Sequence, residues 1–492
     1  MNMVGFDNKK YIKLQSQNIV KRVSKFNKLY LEFGGKLFDD FHASRVLPGF
    51  EPDSKIKMLL NLKEKVEMVL VINANHIEKN KMRSDLGITY SQDLLRLIDA
   101  FQAVELKIGG VVITHFNKQL EAIKLRKTLE KSKINVAYHY AIDNYPNNVD
   151  FILSDNGFGK NEYLETTREI IVVTAPGPGS GKMATCLSQM YADNSRGLKS
   201  GYAKFETFPI WNLPLNHPVN LAYEAATIDL NDVNMIDPFH LEAYQQIAIN
   251  YNRDVEVFPV LNDLLKRIMG KQIYKSPTDM GVNMVGNCIC DDEVCQNAAK
   301  NEIIRRYYAA AVEVKKDAIS EDVLYKIETL MNKAQVNKDD RKVAVAANEL
   351  AEKTKQPACA IEYDGKIITG KTSTLMGAAS AALLNAAKIA AELPDEHLLS
   401  SDVLAPIQEL KTKYLKGHNP RLHTDEVLIA LAVDSINSEM CSKALKGLEK
   451  LNGCEVHSSV ILSEIDIKIF KKLGMHLTQE PIYQTKKLYH SK

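Results

Sequence analysis

Short apolar runs alternate with amphipathic stretches of helical period between residues 28 and 208. The apolar runs are rich in β-branched residues and cover 68–74, 110–115, 134–140, 151–154, 169–175 and 201–208. Helical patterns fill 91–104 and 118–132. Chains that alternate strands with helices build parallel sheets that are covered on both faces. The pattern therefore predicts an α/β fold, with a three-layer doubly wound N-terminal domain over residues 1–215.

The pattern changes after Trp211, where Pro209, Pro214 and Pro218 punctuate a loop. Long helical patterns with few strand signals then run to about residue 334, and they predict a helical middle domain over 216–336. A polar segment at 337–341 separates it from returning helix and strand signals, which predict an α+β domain over 337–492. The alanine-rich stretch at 375–391 suits tight helix packing, and we expect a homo-oligomer.

Composition and charge narrow the class of protein. The 492 residues are 45% apolar and 25% charged, which is the balance of an ordinary globular protein with two or three domains. A net charge of +2 gives no overall field for nucleic acid or membrane surfaces, so we expect neither as a partner. No secretion signal or bilayer-spanning run is evident, and seven cysteines do not suggest a disulfide framework. We therefore expect a cytoplasmic protein.

The strongest chemical signal is a glycine-rich segment between an apolar run and a helical pattern, at 169–190. Glycines let successive backbone N–H groups turn toward an anion, and the following helix N-terminus and a lysine add positive charge. The candidate cofactor-binding residues are Gly177, Gly179, Ser180, Gly181, Lys182 and Thr185. The segment departs from the P-loop pattern because Pro176 replaces the first glycine and Met183 replaces the serine or threonine that binds Mg²⁺. The alternative is a tight turn that needs glycines only for its backbone.

Polar residues downstream supply candidate catalytic groups and metal ligands. Lys204 and Glu206 share one face of a predicted strand, and His217 and His240 are candidate acids or bases. Carboxylates with the chemistry of Mg²⁺ ligands are Glu224, Asp229 and Asp237. Asp and Asn are also preferred helix caps, and this alternative carries equal weight.

Two other patterns resemble functional motifs, but the sequence around each of them argues against that interpretation. Residues 365–372 match the P-loop pattern literally, but Asp364-Gly365 is typical of a hairpin turn and the next residues are typical of a strand. Cys288, Cys290 and Cys295 lack a second cysteine pair or histidines at metal-site spacing, so we do not expect zinc or an iron–sulfur cluster.

Segments 173–191, 201–240 and 276–287 together resemble a conserved bacterial family of about this length whose function is not established. Some of its members carry labels such as ATP-dependent protease or zinc protease, although no HExxH motif is present in this sequence. The resemblance implies the same three-part fold. A weaker local similarity links Gly181, Lys182 and Lys204 to P-loop proteins of the dethiobiotin-synthetase and formyltetrahydrofolate-synthetase kind.

Three functions follow from these observations. The first is a cytosolic enzyme that binds a phosphate-bearing small molecule, with ATP or another nucleotide and Mg²⁺ for phosphoryl transfer or ligation. The second is a lyase or isomerase that acts on a phosphorylated metabolite, with His217 or His240 as the base. The third is a non-enzymatic oligomer that binds nucleotides or acts as a scaffold.

Overall fold

The structure is a computed structural model that describes residues 4–83 and 86–485. The chain divides into two compact units, residues 1–299 and 300–492. Among the described residues, no helix is both long enough and apolar enough to cross a bilayer.

The first unit contains a sheet of seven parallel strands within the described residues, in the order β11-β8-β1-β7-β2-β5-β6. The strands of this unit are β1 (Lys28–Phe33), β2 (Val66–Asn73), β3 (Met82–Arg83), β4 (Ile88–Thr89), β5 (Lys107–Phe116), β6 (Val136–Tyr140), β7 (Ile170–Thr174), β8 (Ser200–Phe205), β9 (Asn234–Ile236), β10 (Ile249–Tyr251) and β11 (Gly281–Val282). Short hairpins pair β3 with β4 and β9 with β10. Every residue of β2 and β7 is buried, as expected for central strands of a parallel sheet.

The helices that accompany these strands are α1 (Asn8–Val23), α2 (Phe41–Val46), α3 (Ser54–Leu60), α4 (Ala74–Glu78), α5 (Tyr90–Ala103), α6 (Leu120–Lys131), α7 (Val149–Ile152), α8 (Lys182–Ser195), α9 (Pro218–Ala226), α10 (Pro238–Tyr244), α11 (Asn252–Met269), α12 (Pro277–Met280) and α13 (Asp292–Lys315). Helix α13 continues across the boundary between the units. Apolar residues of α8 and α11, such as Leu187 and Leu261, share one hydrophobic core with Val71 and Val173 of the sheet. The α11 stretch, which the sequence assigns to a helical middle domain, therefore packs on the sheet.

The predicted strands are confirmed at five of six positions, by β2, β5, β6, β7 and β8. The prediction of a strand at 151–154 is wrong, because this segment lies in and after the short helix α7. The Asn148 side chain accepts a hydrogen bond from the Phe151 amide and starts that helix, and only Ile152 of the helix is buried. A run of three apolar residues does not distinguish a strand from one helical turn.

The second unit is built on a mixed four-stranded sheet in the order β13-β12-β14-β15, among the residues described. Its elements are α14 (Glu321–Ala334), α15 (Lys342–Thr354), β12 (Ala358–Tyr363), β13 (Lys366–Lys371), α16 (Ala378–Ala390), α17 (Ser401–Glu409), α18 (Thr424–Asp434), α19 (Glu439–Gly447), β14 (Glu455–Ser458), α20 (Glu464–Lys472) and β15 (His476–Gln479). The alanine-rich helix α16 packs inside this unit, against β12 and β13.

The literal P-loop match at 365–372 is a hairpin, as its context predicts. Asp364 and Gly365 form a two-residue turn between β12 and β13, with φ of 49° and 74°. A Cβ at Gly370 would collide with the backbone of Ala382, so this glycine allows close approach of α16 to β13. Both glycines of the match thus have structural roles.

Candidate functional site

The glycine loop, residues 175–182, joins β7 to α8 at the carboxyl edge of the parallel sheet. Strand β7 lies between β1 and β2, so the loop emerges near the middle of the sheet. Gly179 and Gly181 have φ of 73° and 86°, which other residues adopt only with strain. Ligands of open parallel sheets bind outside the carboxyl ends of the strands, where this loop lies.

Neighbouring strands hold the loop through its carbonyl groups. The Asn73 side-chain amide, at the end of β2, donates to the Gly179 carbonyl at 3.1 Å. The Thr114 hydroxyl, on β5, donates to the Ser180 carbonyl at 2.6 Å. The Ser180 hydroxyl donates to the Gly177 carbonyl at 2.7 Å. These bonds fix the loop without using its N–H groups.

The amides of the loop and of the first turn of α8 have no protein acceptor within residues 4–83 and 86–485. The N–H groups in question belong to Gly177, Gly179, Ser180, Gly181, Lys182, Met183 and Ala184. Lys182 is half-buried and forms no ion pair with any described residue. The Thr185 hydroxyl is fully buried and also lacks a hydrogen-bond partner among them. The loop thus presents donors and one positive charge that no group of the described chain neutralises.

His76 stands beside the loop. A Cβ on Gly179 would lie 3.5 Å from Cε1 of this imidazole, and the buried Nδ1 of His76 has no hydrogen-bond partner among the described residues. Burial, with the nearby charges of Lys81 and His115, lowers the pKa of His76. His76 is therefore neutral at physiological pH, and its buried Nδ1 makes no hydrogen bond with a described residue.

The polar residues that follow β2 lie in different surroundings. Asn73 and His76 do border the loop. Arg83 instead pairs with the buried Asp93 at 2.8 Å, and Asp85 lies outside the described residues. Thr114 and Tyr90, which packs against Gly177, were not singled out, because their strand and helix become neighbours of the loop only in the fold.

A second polar group, the Lys204 cluster (Lys204, Glu206 and Asp254), lies at the same edge of the sheet. The Lys204 ammonium is bonded to Asp254 and lies 2.8 Å from Glu206. Asp254 sits in the first turn of α11, while Lys204 and Glu206 are at and beyond the end of β8. Glu32 of β1, opposite Lys204 in the sheet register, accepts a hydrogen bond from the Tyr202 hydroxyl at 2.7 Å.

Burial and neighbouring charges together determine the protonation of this cluster. It raises the pKa of Glu206, against the opposing charge of Lys204 and with the help of the charge of Asp254. The carboxylates of Asp254 and Glu206 overcome the effect of burial on Lys204 and raise its pKa, so the lysine stays charged. Sequence reasoning found Lys204 and Glu206 and missed Asp254 and Glu32, for which the sequence offers no local signal.

The candidate metal ligands have different surroundings in the fold. Asp237 caps α10, accepting from the His240 amide at 3.0 Å and from the Thr278 hydroxyl at 2.6 Å. Glu224 accepts from the Asn234 side-chain amide at 2.9 Å, and Asp229 is exposed. Within the described chain, no three His, Cys, Asp or Glu side chains form a group that could hold a metal ion. These contacts match the capping alternative for Asp237, and the metal assignment stays a prediction.

The two candidate histidines also have internal partners. His217 caps α9, and its Nε2 lies 3.0 Å from Asp292. Nδ1 of His240 lies 2.9 Å from the Ser276 hydroxyl. No hydrogen bond or ring contact within the described residues links either imidazole to the glycine loop.

The three cysteines of the 288–295 segment are free thiols. Cys288 and Cys295 are buried and donate to the carbonyls of Met284 and Gly5, whereas Cys290 is exposed. Burial raises the pKa of Cys288 to about 11 and that of Cys295 to about 12. Such thiols stay protonated, which suits small packed side chains.

Two family models together match most of this chain. A family model described as "Domain of unknown function DUF1846, N-terminal" matches residues 4–335, and one described as "Domain of unknown function DUF1846, C-terminal" matches residues 339–489. UPF0371 proteins of Streptococcus pyogenes serotypes M5 and M1 are each 55% identical over 492 residues, which cover 99% of this chain and 100% of each relative. A UPF0371 protein of Streptococcus uberis is 54% identical over the same shares. The chain therefore belongs to the DUF1846 family of conserved bacterial proteins, as the resemblance in its sequence indicated.

Proposed function

We propose that the protein is an enzyme that binds the phosphate group of a small metabolite on the glycine loop. The observation that carries this proposal is the set of N–H groups at residues 177–184 without protein acceptors among the described residues, next to the unpaired ammonium of Lys182. Unpaired donors at a helix N-terminus attract anions, since the helix dipole adds partial positive charge at that end. The buried hydroxyl of Thr185 in the same turn is a further group without a partner within the described chain.

The chemistry that best suits the surroundings is proton transfer, as in a lyase or an isomerase. Burial raises the pKa of Glu206 toward the range in which a carboxyl both gives and takes a proton. His76, held neutral beside Gly179, is a second group of this kind. Lys204 shares its charge with two carboxylates, so it offers less to a phosphoryl group than Lys182 does.

A nucleotide with Mg²⁺ for phosphoryl transfer or ligation is the second candidate. Two features favour nucleotide binding. Lys182 directly follows the glycines, and one turn later the Thr185 hydroxyl makes no hydrogen bond with any described residue. Asp237, Asp229 and Glu224 remain the carboxylates proposed for Mg²⁺. Binding of ATP that strictly requires Mg²⁺ would select this candidate over a metal-free phosphate ester.

Ligand-dependent thermal unfolding of the full chain tests phosphate binding. A ligand that binds only the folded state adds about 1.4 kcal/mol of stability at ten times its Kd. We expect inorganic phosphate, ATP or sugar phosphates to raise the melting temperature of the wild type. We expect Lys182→Ala to abolish the shift, because it removes the positive charge of the loop.

Lys131→Ala is the matched control, since Lys131 is exposed in the last turn of α6. It should keep the full ligand response. Equal responses of wild type and Lys182→Ala, or no response to any phosphate compound, would remove the proposal. Binding without turnover of any bound compound would favour a sensing or scaffolding protein.

We also propose that the sheet and its helices form a three-layer, doubly wound arrangement. The domain boundaries at residues 215 and 336 stay predictions of the sequence. A cytoplasmic location is supported by seven cysteines that are all free thiols. The homo-oligomer is proposed from composition alone, and size-exclusion chromatography with light scattering tests it.

A further inference from the structure

Two buried polar atoms beside the Lys204 cluster make no hydrogen bond of normal geometry with any described residue. They are the hydroxyl of Tyr251 and Oδ1 of Asp232, in residues that are only 6% and 4% exposed. An unpaired buried polar group is costly, so a native structure that retains one commonly provides a partner such as a ligand or a water molecule. Both residues flank the β9–β10 hairpin and the start of α11.

The local fold directs both groups toward the cluster. Tyr251 ends β10 and immediately precedes α11, whose first turn carries Asp254. Asp232 uses its other oxygen to accept from Arg253 at 3.0 Å. Burial raises the pKa of Tyr251 and of Asp232, and the charge of Asp254 raises both further, so the three groups share one environment.

The charges of this region exclude a second phosphate. Five acidic side chains interact here with two basic ones: Glu32, Glu206, Asp229, Asp232 and Asp254 with Lys204 and Arg253. The surplus is negative when the carboxyls are ionised. An anion would be repelled here, whereas the glycine loop attracts one.

The hydrogen-bonding groups around the Lys204 cluster suit a hydroxyl group of a ligand. Asp232 Oδ1 accepts, the Tyr251 hydroxyl both donates and accepts, and two of the three ammonium protons of Lys204 are taken by Glu206 and Asp254. A metal ion would use the acceptors alone, and Lys204 already supplies the positive charge among them. A hydroxyl group uses donors and acceptors together.

We propose that Asp232, Tyr251, Asp254, Glu206 and Lys204 form a hydroxyl-binding subsite, and that the ligand of the glycine loop is a phosphorylated sugar or polyol. This inference rests on the proposed phosphate site. Glu32 of β1 pairs with Lys204 on one side and with Val173 of β7 on the other. Strand spacing therefore puts the subsite about 10 Å from the loop along the sheet edge, a span that a phosphorylated sugar covers.

Calorimetric titration of the full chain with matched compounds tests the two sites separately. The probes are inorganic phosphate, hexyl phosphate without further hydroxyls, glycerol 3-phosphate, ribose 5-phosphate and glucose 6-phosphate. We expect at least one hydroxyl-bearing ester to bind about tenfold or more tightly than hexyl phosphate, which is the effect of one or two well-placed hydrogen bonds.

Tyr251→Phe is the decisive variant because its hydroxyl makes no hydrogen bond of normal geometry within the described residues and has only the Tyr223 side chain as a weak neighbour, so its loss should not unfold the protein. It should weaken the preferred ester about tenfold and leave the Kd of inorganic phosphate unchanged. Tyr138→Phe, at the opposite edge of the sheet on β6, is the matched control and should change neither.

The outcomes separate the two proposals. Phosphate binding with equal affinities for hexyl phosphate and all three hydroxyl esters would overturn the subsite and leave the phosphate site standing. An unchanged ester affinity in Tyr251→Phe would do the same. No binding of any phosphate compound to the wild type would overturn both.

Discussion

Replacing Lys204 by methionine should strongly destabilise the first unit. Methionine preserves much of the apolar stem of lysine and removes the ammonium that Glu206 and Asp254 share. Two carboxylates would then face each other without the ammonium between them in a poorly hydrated crevice. The lysine, glutamate and aspartate side chains are 22%, 12% and 13% exposed, so water screens the repulsion only partly.

The magnitude follows from the cost of breaking a buried ion pair. Removal of one partner typically costs about 3–5 kcal/mol, because the other charge stays buried and uncompensated. Because the cluster is partly exposed to water, we expect a loss of stability near the lower end of this range, about 3 kcal/mol. The double variant Lys204→Met/Glu206→Gln should recover about half of this loss, since it removes one of the two repelling charges.

The loss of stability in Lys204→Met should depend on pH, because Glu206 titrates. Burial already raises the pKa of Glu206 above its unfolded value, and loss of the lysine raises it further. At pH values between the unfolded and the folded pKa of Glu206, the folded chain binds a proton that the unfolded chain has released, so stability falls as pH rises. The deficit of Lys204→Met should therefore be smaller at pH 5 than at pH 8.

Fluorescence of Trp211 during urea unfolding is the appropriate assay. Trp211 is the single tryptophan of the chain and lines a small cavity together with Glu206, so its emission reports on this unit of the full-length protein. Lys131→Met, at an exposed position, is the control and should change stability by less than about 0.5 kcal/mol. A loss below about 1 kcal/mol, or a loss that is the same at pH 5 and pH 8, would refute this account of the cluster.

Two predictions concern the second unit, and hydrogen exchange resolved to its peptides measures both. Gly365→Ala should cost about 1–2 kcal/mol of stability, because φ is 74° at this position and no atom lies within 4 Å of the added Cβ, so backbone strain acts alone. The control Gly377→Ala, at a negative φ of −71°, should cost less. Equal protection of β12 and β13 in both variants would contradict the strain argument. The hydrogen bond to Asp466 raises the pKa of His423, so the stability that this pair contributes is fully present below the unfolded pKa of about 6.5 and is lost as pH rises through the folded value. His423→Gln should remove this pH dependence from the exchange of α18, and an unaltered dependence would show that another group controls it.

Local sequence signals determined many individual elements of this protein. Continuous β-branched runs located β2, β5 and β7, since strands buried on both faces need apolar residues at every position. Asp364-Gly365 specified its turn because both residues adopt positive φ, which glycine accepts freely and aspartate tolerates. The glycines before Lys182 likewise located the bend between β7 and α8. These features depend on residues that are close together in the chain.

Only the tertiary structure decided which residues meet. The sequence does not state that β7 inserts between β1 and β2, and this insertion is what brings Asn73 and Thr114 to the glycine loop. Lys204 and Asp254 are fifty positions apart, and their ion pair forms because α11 begins beside the end of β8. An aspartate such as Asp237 has the same side chain whether it caps a helix or binds a metal ion, so its role depends on the partners that folding supplies. Pairings between distant segments are set by packing of the whole sheet, and no local pattern encodes them.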